Sequence, residues 1–212
     1  LSEKLETKLI CVSFNCSDSK LLVKYGADKI INIDNANLKE FNSKKHSHAL
    51  SQIIEKEDVS LVILSSSADA KYLGGYLAGI TDSAYVSNVV GLPENLNPFI
   101  IRRSCFTNKA FSSTEVVGDL KIISISSNSF GVKENNGDGN LETINIKEIE
   151  TSFKVSNIEK QSGKVTIADA DIVVSAGRGL KGPENWHMIE ELAEVLGAAT
   201  ACSKPVSDMG WR

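Results

Sequence analysis

The chain has 212 residues, 42% hydrophobic and 24% charged, with a net charge of -4 and an isoelectric point near 5.5. That is enough for one domain of about 150 residues and part of another, while the acidic balance offers no basic field for nucleic acid or an anionic membrane. A small ligand or another protein is the expected partner. The four cysteines, Cys11, Cys16, Cys105 and Cys202, form no C-x-x-C pair and match neither a zinc site nor a dense disulfide framework, so they read as reduced thiols in a cytosol-like compartment. Apolar runs such as residues 59–64 are strand-sized, far short of the roughly 20 residues of a membrane helix, so no membrane insertion is expected. The chain opens on Leu1-Ser2-Glu3 without an initiator Met, a signal h-region or an Arg-rich transit pattern, and stops at Trp211-Arg212 soon after an expected strand. The expectation is a fragment that lacks its native start and is truncated at its end.

In chain order, residues 7–14 and 29–33 are short apolar, β-branched runs that predict strands, and Leu21, Leu22, Val23 and Gly26 between them predict one or two helical turns. Residues 48–57 carry Ala49, Leu50, Ile53 and Ile54 at the spacing of a one-sided helix leading into a buried-type strand at 59–64. Leu73, Leu77 and Ile80 then share a helical face, where Gly74 and Gly75 weaken intrinsic helix preference and point to a close backbone approach. Further strands are predicted at 85–92, 99–103, 114–117 and 120–125, separated by Pro93, Pro98 and the polar stretch around Asn108. The fold class expected is α/β, a mostly parallel, nucleotide-binding-like sheet finished by antiparallel strands, with its first strand missing.

Residues 135–140, with N-G and D-G steps, predict a loop, with a hairpin tip as one reading. Edge or linker strands follow at 142–146 and 153–156, and the polar run 159–163 marks a boundary between an N-terminal domain, 1–160, and a truncated second one, 161–212.

The second domain carries the clearest chemistry. Residues 171–175 predict a strand, followed by Gly177-Arg178-Gly179-Leu180-Lys181-Gly182 and a helix with Pro183 at its start, Trp186, Ile189, Leu192, Ala193 and Leu196 on one face and Gly197 as its stop. Residues 198–202 supply a second strand, which completes the β-α-β unit of a Rossmann-like domain. The glycine turn satisfies G-x-G-x-x-G, in which glycines admit a pyrophosphate to backbone amides and the helix N-terminus supplies partial positive charge. A nicotinamide site also needs a carboxylate at the end of the second strand, but Ser203-Lys204-Pro205 stand there.

The stretch VVSAGRGLKGPENWHMIEELAEVLGAATACSKPVSDMGW, residues 173–211, resembles the start of the FAD-binding domain of electron-transfer flavoprotein alpha subunits, whose signature runs strand, S-G-G-R-G-L, E-N, helix, G-A-S-R and D-x-G. Residues 69–92, 99–111 and 119–125 resemble that family's first domain. The resemblance implies that Arg178 and Ser203 contact FAD and that Gly177 and Gly179 shape the turn. It also implies that Lys204 stands where the family usually has an arginine against the flavin, keeping the charge and losing the planar fork. The resemblance further implies an electron carrier rather than an enzyme. It would pair with a beta subunit and pass electrons from acyl-CoA and other dehydrogenases, as in fatty acid beta-oxidation, to a quinone reductase or respiratory chain. It would act in the cytoplasm of a bacterium or the mitochondrial matrix of a eukaryote. Two alternatives use the same residues: an NAD-dependent oxidoreductase at the glycine turn, and a nucleotide-binding module.

Blander readings stand beside these. Arg178 could bond neighbouring carbonyls, Ser203 could satisfy its own backbone, and Lys204 could be a solvated charge. His46 and His48, beside Lys44 and Lys45 and without a carboxylate or cysteine partner, read as a solvated helix start rather than a metal site. His187 reads as a surface or capping residue, and Cys105 and Cys202 as small apolar fillers on strands. The short second-domain piece is expected to be poorly ordered unless it leans on the first domain.

Overall fold

The computed structural model describes residues 1–137, 139–152, 155–158, 167 and 170–212. These fall into two units, Leu1–Ser156 and Asn157–Arg212. The expected strand at 153–156 lies partly outside the described residues, and the polar run 159–163 wholly so.

In the first unit the elements run α1 (Ser2–Leu5), β1 (Ile10–Phe14), a 3-10 turn (Ser19–Lys24), β2 (Lys29–Ile33), a second 3-10 turn (Ala36–Leu38), α2 (Ser43–Lys56), β3 (Leu61–Ser65), α3 (Ala68–Thr81), β4 (Ala84–Val89), β5 (Asn95–Leu96), β6 (Phe99–Cys105), β7 (Ala110–Glu115), β8 (Lys121–Ile125) and β9 (Asn140–Thr143). Both long helices begin at side-chain caps. Asn42 accepts from the Lys45 amide and Ser67 from the Ala70 amide, each satisfying an N–H that the helix cannot.

The strands form two ladders. β1, β2 and β9 pair in that order, all parallel. In the larger ladder β3, β8 and β4 are parallel, whereas β6 is antiparallel to β4 and carries β5 and β7 as antiparallel neighbours. The sheet is therefore mostly parallel with an antiparallel end. β8, the last strand of this ladder in sequence, slots between β3 and β4, and its period-2 alternation buries both faces. Ile122 joins a core with Ile31, Ile33, Ala49, Leu50, Ile53 and Leu77, while Ile123 joins another with Val86, Val89, Phe99, Ile101 and Val116. The first core also takes Val12 and Phe14 of β1 and Val62 and Leu64 of β3. Strands from two separate ladders thus rest on one hydrophobic cluster beneath α2 and α3.

Gly74 meets its expected close approach in the Tyr85 ring, where an added methyl would stand 2.5 Å from Cε2; Gly75 faces open space. Two expectations change. The described residues of the 135–140 stretch make no hairpin tip: Asn135 bridges Tyr25, and β9, which begins at Asn140, runs parallel to β2. Gly137 belongs there because a side chain would strike the Ala27 carbonyl. His46 is buried rather than solvated, with its ring 4.6 Å from that of Phe14 and 5.3 Å from that of Phe41. Its Nδ1 lies 3.0 Å from the Asn42 carbonyl oxygen, and burial pulls its pKa down.

The second unit contains β10 (Val173–Ala176), 3-10 turns at Arg178–Leu180 and Pro183–Asn185, α4 (His187–Leu196), β11 (Ala199–Cys202) and α5 (Lys204–Asp208). β10 and β11 are parallel, and Gly197 ends α4 in the left-handed region at φ 61°. α4 begins four residues after Pro183, because two 3-10 turns follow the strand before regular helix does. A small core of Ala176, Trp186 and Val206, with Leu180, Ile189, Cys202 and Trp211 against it, holds the unit together.

Candidate functional site

Sequence reasoning names five residues, Gly177, Arg178, Gly179, Ser203 and Lys204, and the β10–β11 register brings them to one edge. Ala176 is the partner of Cys202 at the C-terminal end of the pair, and the Ser203 amide donates to the Ala176 carbonyl at 3.0 Å. Gly177 and Ser203 are the next residues of the two strands. The turn carrying Arg178 and the start of α5 carrying Lys204 therefore leave the sheet side by side at its carboxyl end, where open parallel sheets take ligands.

The local geometry explains each residue type. Gly177 is extended, at φ -109° and ψ -173°, and Gly179 lies outside the positive-φ set, so neither conformation requires glycine. Among the described residues, a methyl group on either would meet no atom within 4 Å beyond its immediate chain surroundings. Bare backbone at these two positions leaves room for a ligand. Gly182 differs, because the Glu184 carboxylate folds over it at 2.2 Å from where a Cβ would stand. A negative group already sits at the third glycine, which narrows the anion-favouring part of the turn to Gly177–Leu180.

Arg178 and Lys204 are exposed, and neither forms a salt bridge among the described residues. Ser203 occupies the N-cap position of α5 without a side-chain cap bond, which leaves its hydroxyl free to face a ligand. The arrangement presents two cations, a hydroxyl and uncovered amides, a set suited to an anionic, hydroxyl-bearing ligand. No group of His, Cys, Asp and Glu among the described residues could hold a metal ion. His187 sits exposed at the start of α4 with Nδ1 2.9 Å from the Glu184 carbonyl oxygen of the preceding 3-10 turn, and it makes no cap bond to the helix. Cys202 packs against the small core, and burial pushes the Cys11 thiol up.

One residue stands in the sequence reading only as part of the E-N step, with no contact assigned to it. Asn185 Nδ2 donates to the Leu180 carbonyl at 2.9 Å, tying the second 3-10 turn back onto the first. An Asn just behind a Gly-Pro step at a helix start is the signal that could have marked it.

Residues 3–149 match the electron transfer flavoprotein domain, and residues 166–212 match the electron transfer flavoprotein FAD-binding domain of the alpha type. The chain belongs to the electron transfer flavoprotein alpha-subunit family. It is 27% identical over 190 residues to electron transfer flavoprotein subunit alpha of Bacillus subtilis (strain 168), covering 88% of this chain and 58% of that protein. It is 30% identical over 173 residues to the mitochondrial electron transfer flavoprotein subunit alpha of Oryza sativa subsp. indica, covering 76% and 47%. A third relative is the lactate dehydrogenase (NAD(+),ferredoxin) subunit LctC of Acetobacterium woodii, 25% identical over 199 residues, covering 90% and 47%. The chain thus spans about half to three-fifths of these relatives' own lengths.

The cofactor of this flavoprotein domain is FAD. The residues present suit it. The open backbone at Gly177 and Gly179 admits a bulky group, the exposed Arg178 and Lys204 match its negative charge, and no carboxylate follows Cys202 directly to select a nicotinamide ribose.

Proposed function

We propose that this chain is the FAD-binding alpha subunit of a heterodimeric electron carrier. It works with a beta subunit and passes electrons from dehydrogenases, acyl-CoA dehydrogenases among them, to a quinone reductase or respiratory chain. The observation that carries this reading is the register pair Ala176 and Cys202, which sends Arg178 and Ser203-Lys204 off the same sheet edge beside two uncovered glycines. FAD, when bound, supplies the reversible electron storage. The chain's residues would bind and tune it: Arg178 and Ser203 hold polar groups, Gly177 and Gly179 let backbone amides approach, and Lys204 places a cation beside the flavin. These roles bind and orient the cofactor, which is what an electron carrier asks of its protein.

Two open parallel edges, β1 and β3, support a related proposal about the first unit. Each ends its ladder, yet both rest on the core beneath α2 and α3. We read this as the place of one further parallel strand, which would join the two ladders into a continuous sheet.

Arg178→Ala in the heterodimer tests the FAD site. Loss of a charge-assisted contact of about 1.5–3 kcal/mol should weaken FAD retention by tenfold or more. Retention equal to wild type would remove Arg178 from the site, and quenching of NADH fluorescence at micromolar concentration would favour the oxidoreductase reading instead.

A further inference from the structure

We propose that Asn185 is the positioning residue for Arg178, fixing the turn that aims the guanidinium at the cofactor. The Arg178 turn is a single 3-10 turn, closed by Leu180 N–H to Gly177 O at 3.1 Å and Lys181 N–H to Arg178 O at 3.0 Å. Such a turn is short and leaves carbonyls unsatisfied at its end. Lys181 then takes the left-handed conformation at φ 68°, which reverses the chain without a glycine. The Leu180 carbonyl at this reversal is captured by Asn185 Nδ2 at 2.9 Å, in a half-buried bond. Among the described residues no other side chain is recorded bonding to the backbone of 177–182.

Asn185 is itself held from behind. Its neighbour Trp186 is 5% exposed and packs with Ala176 at the end of β10 and Val206 in α5, and Leu180 lies against the same cluster. The amide therefore bridges a fixed anchor and a turn that is otherwise closed only by its own backbone. Releasing it frees the turn to rotate Arg178 away, while the packing of Trp186 and Leu180 keeps the unit folded. The sequence places this amide two residues after Pro183, whose fixed φ suits the second 3-10 turn that delivers it.

This inference rests on the FAD reading, and the flavin content of the wild-type heterodimer separates the two failures: a colourless wild type that cannot be reconstituted ends the FAD reading. With flavin bound to wild type, FAD dissociation is measured for Asn185→Ala, Asn185→Asp, Arg178→Ala and the Asn185→Ala/Arg178→Ala double variant. Asp preserves shape and packing, but as a carboxylate it cannot donate to the Leu180 carbonyl. Both Asn185 variants should release FAD about three- to tenfold faster, the worth of one partly buried hydrogen bond. In the Arg178→Ala background the Asn185 substitution should add little, because Asn185 acts through Arg178. Asn185→Asp behaving as wild type would overturn the proposal, and so would an Asn185→Ala effect undiminished without Arg178, which would mark Asn185 as holding only the fold.

Discussion

Ala176 and Cys202 face each other as the last register pair of β10 and β11, and the residues that follow them, Gly177 and Ser203, leave the sheet as neighbours. This one register brings the proposed site residues together. A slip of one residue would turn every side chain of β11 to the opposite face and separate Ser203 and Lys204 from the Arg178 turn.

Lys204 gives the first prediction. A cation beside the flavin favours the reduced, anionic form, so Lys204→Gln should lower the reduction potential of bound FAD by about 30 mV, the two-electron equivalent of a tenfold change. Lys204→Arg should retain the wild-type potential or raise it. Potentiometric titration of the heterodimer reads both, and a Gln variant at the wild-type potential would place Lys204 away from the flavin.

Adjacent glycines in α3 should respond in opposite directions. Gly75→Ala adds a methyl in open space and removes a helix-interior glycine, which should stabilise by about 0.5–1 kcal/mol. Gly74→Ala drives a methyl to 2.5 Å from the Tyr85 ring and should destabilise by about 1–3 kcal/mol. Urea unfolding of the two variants checks the pair.

Acid should act through Glu142. Its carboxylate meets Lys29 Nζ at 2.7 Å and Lys56 Nζ at 2.6 Å, and these hydrogen bonds pull its pKa from 4.5 to about 2. Since the folded value is depressed, the stabilisation is present above pH 4.5 and lost as pH falls from there to about 2. Lys29, which also meets Glu57 at 2.7 Å, is shifted upward by the same bonds, so its share persists below pH 10.5 and fades as pH rises beyond its raised value. Glu142→Gln should remove the acid-side difference, so the stability gap between variant and wild type should close across the window from 4.5 to 2.

His46 should add a slope nearer neutrality. Burial lowers its folded pKa below 6.5, so the unfolded chain takes up a proton that the folded chain resists, and stability falls as pH drops through 6.5. His46→Gln should flatten that slope in unfolding curves between about pH 7 and pH 5.

These pH effects also mark what the sequence could and could not disclose. β2 was legible to the residue, because Lys29–Ile33 is a compact β-branched run, and so was the stop of α4 at Gly197, whose left-handed backbone suits glycine. The turn between β10 and α4 was legible as a turn from Gly177, Gly179 and Gly182. His46 was misread because Lys44 and Lys45 beside it suggest solvent, whereas its partners Phe14 and Phe41 come from elsewhere on the chain. β5, two residues with no β-branched side chain, left no pattern to read. α5 was hidden because Pro205 after a strand looks like a stop, though proline suits a first helical turn. The insertion of β8 between β3 and β4, and the parallel run of β9 along β2, are pairings between distant segments that no local periodicity encodes.

The central claim is that the edge formed by Arg178, Ser203 and Lys204 holds FAD within an alpha–beta heterodimer, and the most direct measurement is the visible absorption spectrum of the protein purified with its beta partner. Flavin bands corresponding to near one FAD per heterodimer are the predicted result. A colourless heterodimer that takes up no flavin on reconstitution would contradict it.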